Sequence, residues 1–287
     1  MDRQPKILIA GSTGYLGLHI VSELLASDAN FVALSRSKDK LLKQGVRDEQ
    51  ICIAQVTDPK SLVGCCDGFD VVISCLGITR QRDGLTYMDV DYQANINLLE
   101  EAKSASVEKF IYISALNANQ NQQVRLLHAK EKFAQTLLDT EELEGCVIRP
   151  NGFFCDMAEL FNMAKQGRVY LFGDGEQRLN PIHGRDLAKF TLQAMHWKDK
   201  ELDVGGPEIL SHREAAELAF EAINKKTRVT YLPDRWRRGL VWGASRLPEQ
   251  WTGPAEFFLT VSGKDMLAPT YGGETLAEFY GQLAAND

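Results

Sequence analysis

Short apolar runs alternate with amphipathic stretches along most of the chain. Ile7, Leu8, Ile9 and Ala10 form a run rich in strand formers. It breaks at Gly11 and resumes as Tyr15, Leu16, Leu18, Ile20 and Val21, whose spacing is helical. This pattern predicts a buried parallel strand, a glycine turn and the start of a helix. Further strands are expected at 31–35, 51–55, 69–75, 109–114 and 146–149. A short helix is expected from Asp58-Pro59, and longer ones at 89–104 and 124–140. In the first long helix Val90, Ala94, Leu98 and Ala102 share a face; in the second Leu127, Phe133, Leu137 and Leu138 point inward. Residues 80–83 and the Asn/Gln-rich stretch 117–123 read as a polar loop and a mobile surface loop. Strand–helix alternation of this kind predicts an α/β fold, a Rossmann-type doubly wound parallel sheet.

Beyond residue 150 the pattern is less regular. It predicts a helix at 154–165, a strand at 168–172, a helix ending near 195 and a strand at 201–204. A helix capped by Ser211 and Glu214 and a strand at 228–232 follow. The organisation expected is a dinucleotide-binding domain over 1–150, with the helix at 184–196 packing back on it. Residues 151–287 form a smaller C-terminal lobe for substrate or partner, closing over the sheet edge.

Composition narrows the classes. The 287 residues can bury a full core, and 25% charged residues with 44% hydrophobic ones suit a globular protein. A net charge of −7 with no strongly basic segment argues against nucleic acid as the partner. No apolar run can span a bilayer, and the first strand starts almost at once, so a cytoplasmic location without a cleavable leader is expected. Cys52, Cys75 and Cys146 fall in expected buried strands, and Cys65-Cys66 in a loop. This is reduced usage rather than a disulfide frame. No His/Cys/Asp/Glu cluster has metal-ligand spacing, and no G-x-S-x-G elbow is present.

The candidate chemistry starts at Gly11, Gly14 and Gly17. The first can take the tight turn, the second admits a pyrophosphate, and the third lets helix and strand pack closely. The helix N-terminus then turns N–H groups and partial positive charge toward phosphate. At the end of the second strand, where an NAD enzyme places an acid for the ribose hydroxyls, stand Ser35 and Arg36. A guanidinium suits a 2′-phosphate, so the expected cofactor is NADP(H). Residues 235–251 combine Trp236, Leu240, Trp242 and Leu247 with Arg235, Arg237, Arg238 and Arg246. Such a mixture marks a membrane surface or protein interface, or a helix covering the substrate cleft.

G-S-T-G-Y-L-G, S-R after strand two, C-L-G after strand four, I-Y-I-S after strand five, R-P-N-G-F-F after strand six and P-I-H-G-R-D-L-A occur in one order. In these the chain resembles the short-chain dehydrogenase/reductase superfamily, in its extended and atypical branch, and within it the NmrA-like NAD(P)-binding proteins. The resemblance implies that Ser12, Thr13, Tyr15 and Leu16 line the phosphates with the glycines and that Arg36 takes the 2′-phosphate. It puts Leu76 and Gly77 near the adenosine, and Ser114 near the nicotinamide. Asn151, Gly152 and Phe153 fall at the nicotinamide end. Gln55 and Val56 occupy the place where the family often has an acid against adenine. The substrate, a small or conjugated organic molecule, would meet Ser114, Leu116, Lys130, Phe153, Phe154 and His183.

The resemblance also exposes a departure. Active members carry Tyr-x-x-x-Lys. Here Lys130 stands for the lysine, but Leu126 stands where the proton-transferring tyrosine is expected. Three readings stay open. The chain is a reductase relying on Lys130 with Ser114, a non-catalytic NADP(H)-sensing regulator, or an assembly factor that keeps the fold for binding. His183 reads more plainly as a packed histidine than as a catalytic one.

Overall fold

The computed structural model describes residues 4–78 and 84–286; the polar loop expected at 80–83 lies outside them. The chain divides into two compact units, Met1–Arg149 with Leu187–Leu202, and Pro150–Asp186 with Asp203–Asp287.

The first unit alternates strand and helix: β1 (Ile7–Ala10), α1 (Tyr15–Ala26), β2 (Phe31–Ser35), α2 (Asp39–Lys43), β3 (Ile51–Ile53), α3 (Pro59–Leu62) and β4 (Val71–Ser74). A π-helical stretch, Met88–Ala94, then runs without a break into α4 (Asn95–Ser104), followed by β5 (Lys109–Ile113), α5 (Arg125–Leu138) and β6 (Glu144–Pro150). In the later chain come α6 (Phe154–Lys165), β7 (Val169–Phe172), β8 (Arg178–Leu179), α7 (Gly184–Ala194), β9 (Glu201–Val204), β10 (Leu210–Ser211), α8 (His212–Ala222) and β11 (Val229–Leu232). The chain closes with α9 (Asp234–Ala244), α10 (Glu249–Val261) and α11 (Leu276–Ala285).

Seven strands form one sheet in the order β3-β2-β1-β4-β5-β6-β9, and β1 to β6 pair in parallel. This is the doubly wound order, with the chain reversing direction of winding between β1 and β4. The strands are almost wholly apolar because helices cover both faces. Leu8, Ala10, Val72, Phe110, Tyr112 and Val147 meet Leu98, Phe133 and Leu137 of α4 and α5 in one buried cluster. Arg149, opening the R-P-N-G motif, is buried and ion-paired to Glu131 of α5 and Glu201 of β9, so it serves the sheet. The second unit has its own core, where Phe154, Phe161, Val169, Leu171, Phe220 and Tyr280 pack.

Several expectations change. The helix expected at 89–104 is two kinds of helix, because Asn95 donates to the carbonyls of Val90 and Asp91 and holds the wider turn. The stretch 117–123 contains a 3₁₀ turn, Ala118–Gln120, and Asn121 is buried with its amide on the Asn117 carbonyl at 2.9 Å. Cys66 lies in the core, whereas Cys65 sits 3.3 Å from Cys52 across from the edge strand β3, which leaves Cys52 partly exposed. Strands β8 and β10 were not expected; two residues each carry too little periodicity to register.

Candidate functional site

The site grows from the end of β1. Gly11 has a φ of +76°, and a Cβ there would stand 2.7 Å from the Cys75 carbonyl oxygen. A Cβ on Gly17 would be driven into the Gly11 carbonyl. Both positions are closed to any side chain, so the loop packs tightly between β1 and β4. Gly14 precedes α1 and supplies no side-chain cap, so the helix N-terminus is left for a ligand to satisfy. Thr13, Tyr15 and Leu16 lie in this turn and first helical residues. Ser12 is buried, and its hydroxyl donates to the Leu34 carbonyl at 2.8 Å. That bond ties the loop to the end of β2, where Ser35 is buried and Arg36 exposed. Ser12 thus offers a ligand its backbone alone.

Further along the carboxyl edge, Val56 is buried and its carbonyl accepts from the Asn97 amide at 3.0 Å. The Gln55 N–H is bound by the Ser61 hydroxyl. Leu76 is buried behind Ser74, whose hydroxyl donates to Asn95 at 2.5 Å. Asn95 and Asn97, at the start of α4, are therefore the fasteners between that helix and the chain just beyond β3 and at the end of β4.

Beside Gly77 lies the most polar feature of the unit. Lys130 Nζ stands 3.1 Å from Asp91 Oδ1, and the other oxygen of Asp91 accepts from the Ile78 N–H at 3.2 Å. A Cβ on Gly77 would stand 2.6 Å from Asp91 and 3.0 Å from Lys130 Nζ, so glycine is what lets the pair form there. Asp91 is buried and comes from the π-helical stretch, a wider turn often found at functional sites. The Tyr112 ring lies 5.6 Å from Lys130 Nζ and packs edge-on against Phe133. Burial opposes charge on Lys130, but the Asp91 carboxylate beside it favours the ammonium, and its pKa lies above the usual 10.5. Burial likewise raises the Tyr112 phenol, which stays protonated. Ser114, at the end of β5, is buried and its hydroxyl has no protein partner. Leu116 is buried two residues on, and Leu126 is buried in α5, so no hydroxyl stands at that position. Asp91 and Tyr112 are the residues sequence reasoning missed. The available signal was the i, i+4 pair Asp91 and Asn95, polar on a helix whose neighbours are core.

The remaining candidates lie in the second unit. Asn151 donates to Asn180 at 2.7 Å and to the Met266 carbonyl at 2.6 Å, while its oxygen accepts from Gly152. Its amide is fully employed in holding that unit. Asp156 accepts the Phe153 N–H at the head of α6. Phe154 is buried, with ring centroids 5.5 Å from His183 and 5.6 Å from Phe279. Burial lowers the His183 pKa, and its Nδ1 accepts from the Arg185 N–H, so the ring is neutral. Asp186 Oδ2 accepts from the N–H groups of Gly273 and Glu274, both at 2.9 Å.

A closed glycine turn, an uncapped helix N-terminus at the sheet's switch point, and an unpartnered Ser114 hydroxyl at the end of β5, whose Ile113 carbonyl lies 3.5 Å from Lys130 Nζ, form a cradle suited to a dinucleotide. These features define a dinucleotide-binding α/β protein. The chain belongs to the family described as NAD(P)H-binding, whose pattern matches residues 11–197, in keeping with the superfamily resemblance drawn from sequence. Among relatives, the chloroplastic divinyl chlorophyllide a 8-vinyl-reductase of Arabidopsis thaliana is 28% identical over 258 residues. That match covers 81% of this chain but only 61% of the relative. The photosystem II assembly factor Ycf39 of Synechocystis is 25% identical over 79% of this chain and 71% of its own. In structure, the NADPH-dependent quinone oxidoreductase QOR2 of Escherichia coli, complexed with NADPH, superposes with a TM-score of 0.76. The superposition covers 96% of this chain and 99% of that one, at 16% identity.

Proposed function

We propose that this protein is an atypical NADPH-dependent reductase that delivers hydride to a small or conjugated organic substrate. The observation that carries this reading is the buried Lys130–Asp91 ion pair beside Gly77. A buried charge is costly to assemble, and this one is kept at the carboxyl end of the sheet, where its ammonium can orient a bound cofactor and substrate. The name of the Arabidopsis relative, an 8-vinyl-reductase, fits a carbon–carbon double bond as the acceptor.

When bound, NADPH supplies the hydride. The glycine turn and the N-terminus of α1 hold the pyrophosphate, and Arg36 favours the 2′-phosphate over a bare hydroxyl. Lys130 with a raised pKa stays an ammonium at neutral pH and is a poor proton donor. It therefore binds and orients, donating hydrogen bonds from Nζ to a ribose hydroxyl or a polar substrate atom. Asp91 keeps it charged and fixed. The Ser114 hydroxyl is a second donor beside it. The proton completing the reduction comes from solvent, because Leu126 has none to give.

NADPH oxidation measured against quinones, enones and vinyl-substituted conjugated rings tests this. Lys130→Met is expected to cut turnover by roughly fiftyfold, as loss of an orienting hydrogen-bonded charge does. Turnover unchanged in that variant removes Lys130 from the mechanism. NADPH binding with no turnover on any class favours the second reading, a non-catalytic regulator or assembly factor. The apolar Leu126 and the Ycf39 relative speak for it.

A further inference from the structure

We propose that α9 and the start of α10 dock the protein on the anionic surface of a lipid bilayer. Of the eleven residues of α9, Ala244 alone is buried. Trp236 and Leu240 are each 53% exposed, Trp242 63% and Trp251 72%. Trp236 and Leu240 follow one another at i, i+4, and Gly239 and Gly243 open onto empty space, so this side of the helix carries bare backbone between large apolar groups. Buried surface of this size in a soluble core would be worth a great deal, yet here it faces water.

Charge says what covers it. Residues 234–251 hold four arginines against two acids, in a chain whose net charge is −7. Arg237 is spent internally: it pairs with Asp234 at 2.6 Å and donates to the Leu259 carbonyl at 2.8 Å, clamping α9 to α10. Arg235 and Arg238 stay exposed, Arg238 with its Nε 2.9 Å from Asp234, and the Arg246 guanidinium lies 3.9 Å from the Trp242 ring centroid. Tryptophan and leucine at headgroup depth with arginine reaching for lipid phosphates is the pattern of an interfacial helix. The face offers apolar area and positive charge together, the combination an anionic headgroup layer takes up. Among the described residues no helix is long and apolar enough to cross a membrane, so contact would be at the surface. This inference does not depend on whether the site in the first unit turns over.

The test is co-sedimentation of the full chain with vesicles of pure phosphatidylcholine and of phosphatidylcholine containing phosphatidylglycerol, with tryptophan emission recorded in parallel. Three of the four tryptophans are exposed on α9 and the start of α10, so docking should shift emission to the blue. The chain should bind the anionic vesicles at least about tenfold more tightly, and raising salt from about 50 to about 500 mM should release it. Arg235→Glu, Arg238→Glu and Arg246→Glu together should weaken binding on the order of a hundredfold. Trp236→Ser with Leu240→Ser and Trp242→Ser should abolish the blue shift. Both variants should keep NADPH affinity and the thermal midpoint, since the substituted side chains are exposed; the single Trp251→Ser serves if the triple variant misfolds. No binding to either vesicle, equal binding to both, or binding untouched by either variant overturns the proposal. So does a dimer that the Trp/Leu variant dissolves while vesicles stay unbound.

Discussion

The two units differ in what their buried polar side chains leave over. The first spends Ser12 and Asn95 on backbone carbonyls, yet Asp91 and Lys130 pair beside Gly77 and the Ser114 hydroxyl at the end of β5 has no protein partner. In the second, buried polar groups are consumed by backbone. Asn180 accepts from Asn151 and Ala268 and donates to the carbonyls of Gly206 and Ala268. Asp186 holds the turn at Gly272, whose φ is +88°. A regular sheet satisfies its own backbone and leaves side chains over for chemistry. An irregular region must spend side chains on its backbone first. The motifs R-P-N-G and P-I-H-G-R-D, which carry the family resemblance in sequence, supply fasteners at Arg149, Asn151 and Asp186.

Substitutions can break this division in order of force. Gly17→Val drives a side chain into the Gly11 carbonyl; it should cost the loop about 3 kcal/mol and lower NADPH affinity roughly a hundredfold, while hydrogen exchange in the second unit is unmoved. Asn180→Ala should do the reverse. Its buried partners lose their bonds at a cost of about 3 kcal/mol, read as earlier unfolding of the second unit with NADPH affinity intact. If NADPH affinity falls as well, the two units do not divide the labour in this way. Arg36→Ala should cost about tenfold in NADPH affinity with little change for NADH; a parallel loss of both would mean that Arg36 does not read the phosphate.

The gentlest probe is pH. His183 and His212, both in the second unit, have pKa values pushed below 6.5 by burial. Below that value the unfolded chain takes up protons that the folded unit refuses, so stability falls as pH drops from 6.5. Lys130 is shifted the other way, and the stabilisation it brings is fully present below 10.5 and lost only as pH rises past its raised value. Between about pH 7.5 and about pH 5.5, hydrogen-exchange protection, taken relative to the intrinsic rate at each pH, should therefore fall in the second unit before the first. A uniform fall would count against the assignment.

Much of the first unit was legible because its elements advertise themselves. The ILIA run, the glycine turn and the strand at 31–35 appear at the expected residues, and so does α6. The Lys130–Asp91 pair was not legible. Its members lie 39 positions apart, and nothing in local periodicity links them. Nor could apolar spacing over seven residues separate a π-helix from an α-helix. In the second unit, long-range amides such as Asn180 to Ala268 decide the path of the chain, and single-residue bridges leave no period to read.

The π-helical turn at Met88–Ala94 has a consequence for how this site could be gained or lost. Relative to an α-helix, such a turn accommodates one extra residue. Removing one residue between Asp91 and Asn95 would let the segment relax to α-geometry with α4 undisturbed. Because the turn absorbs that residue within itself, the deletion would turn Asp91 by only roughly 30° about the helix axis and leave it near Lys130. The pair thus tolerates a change of length at this turn, and it is lost only by substitution of Asp91 or Lys130.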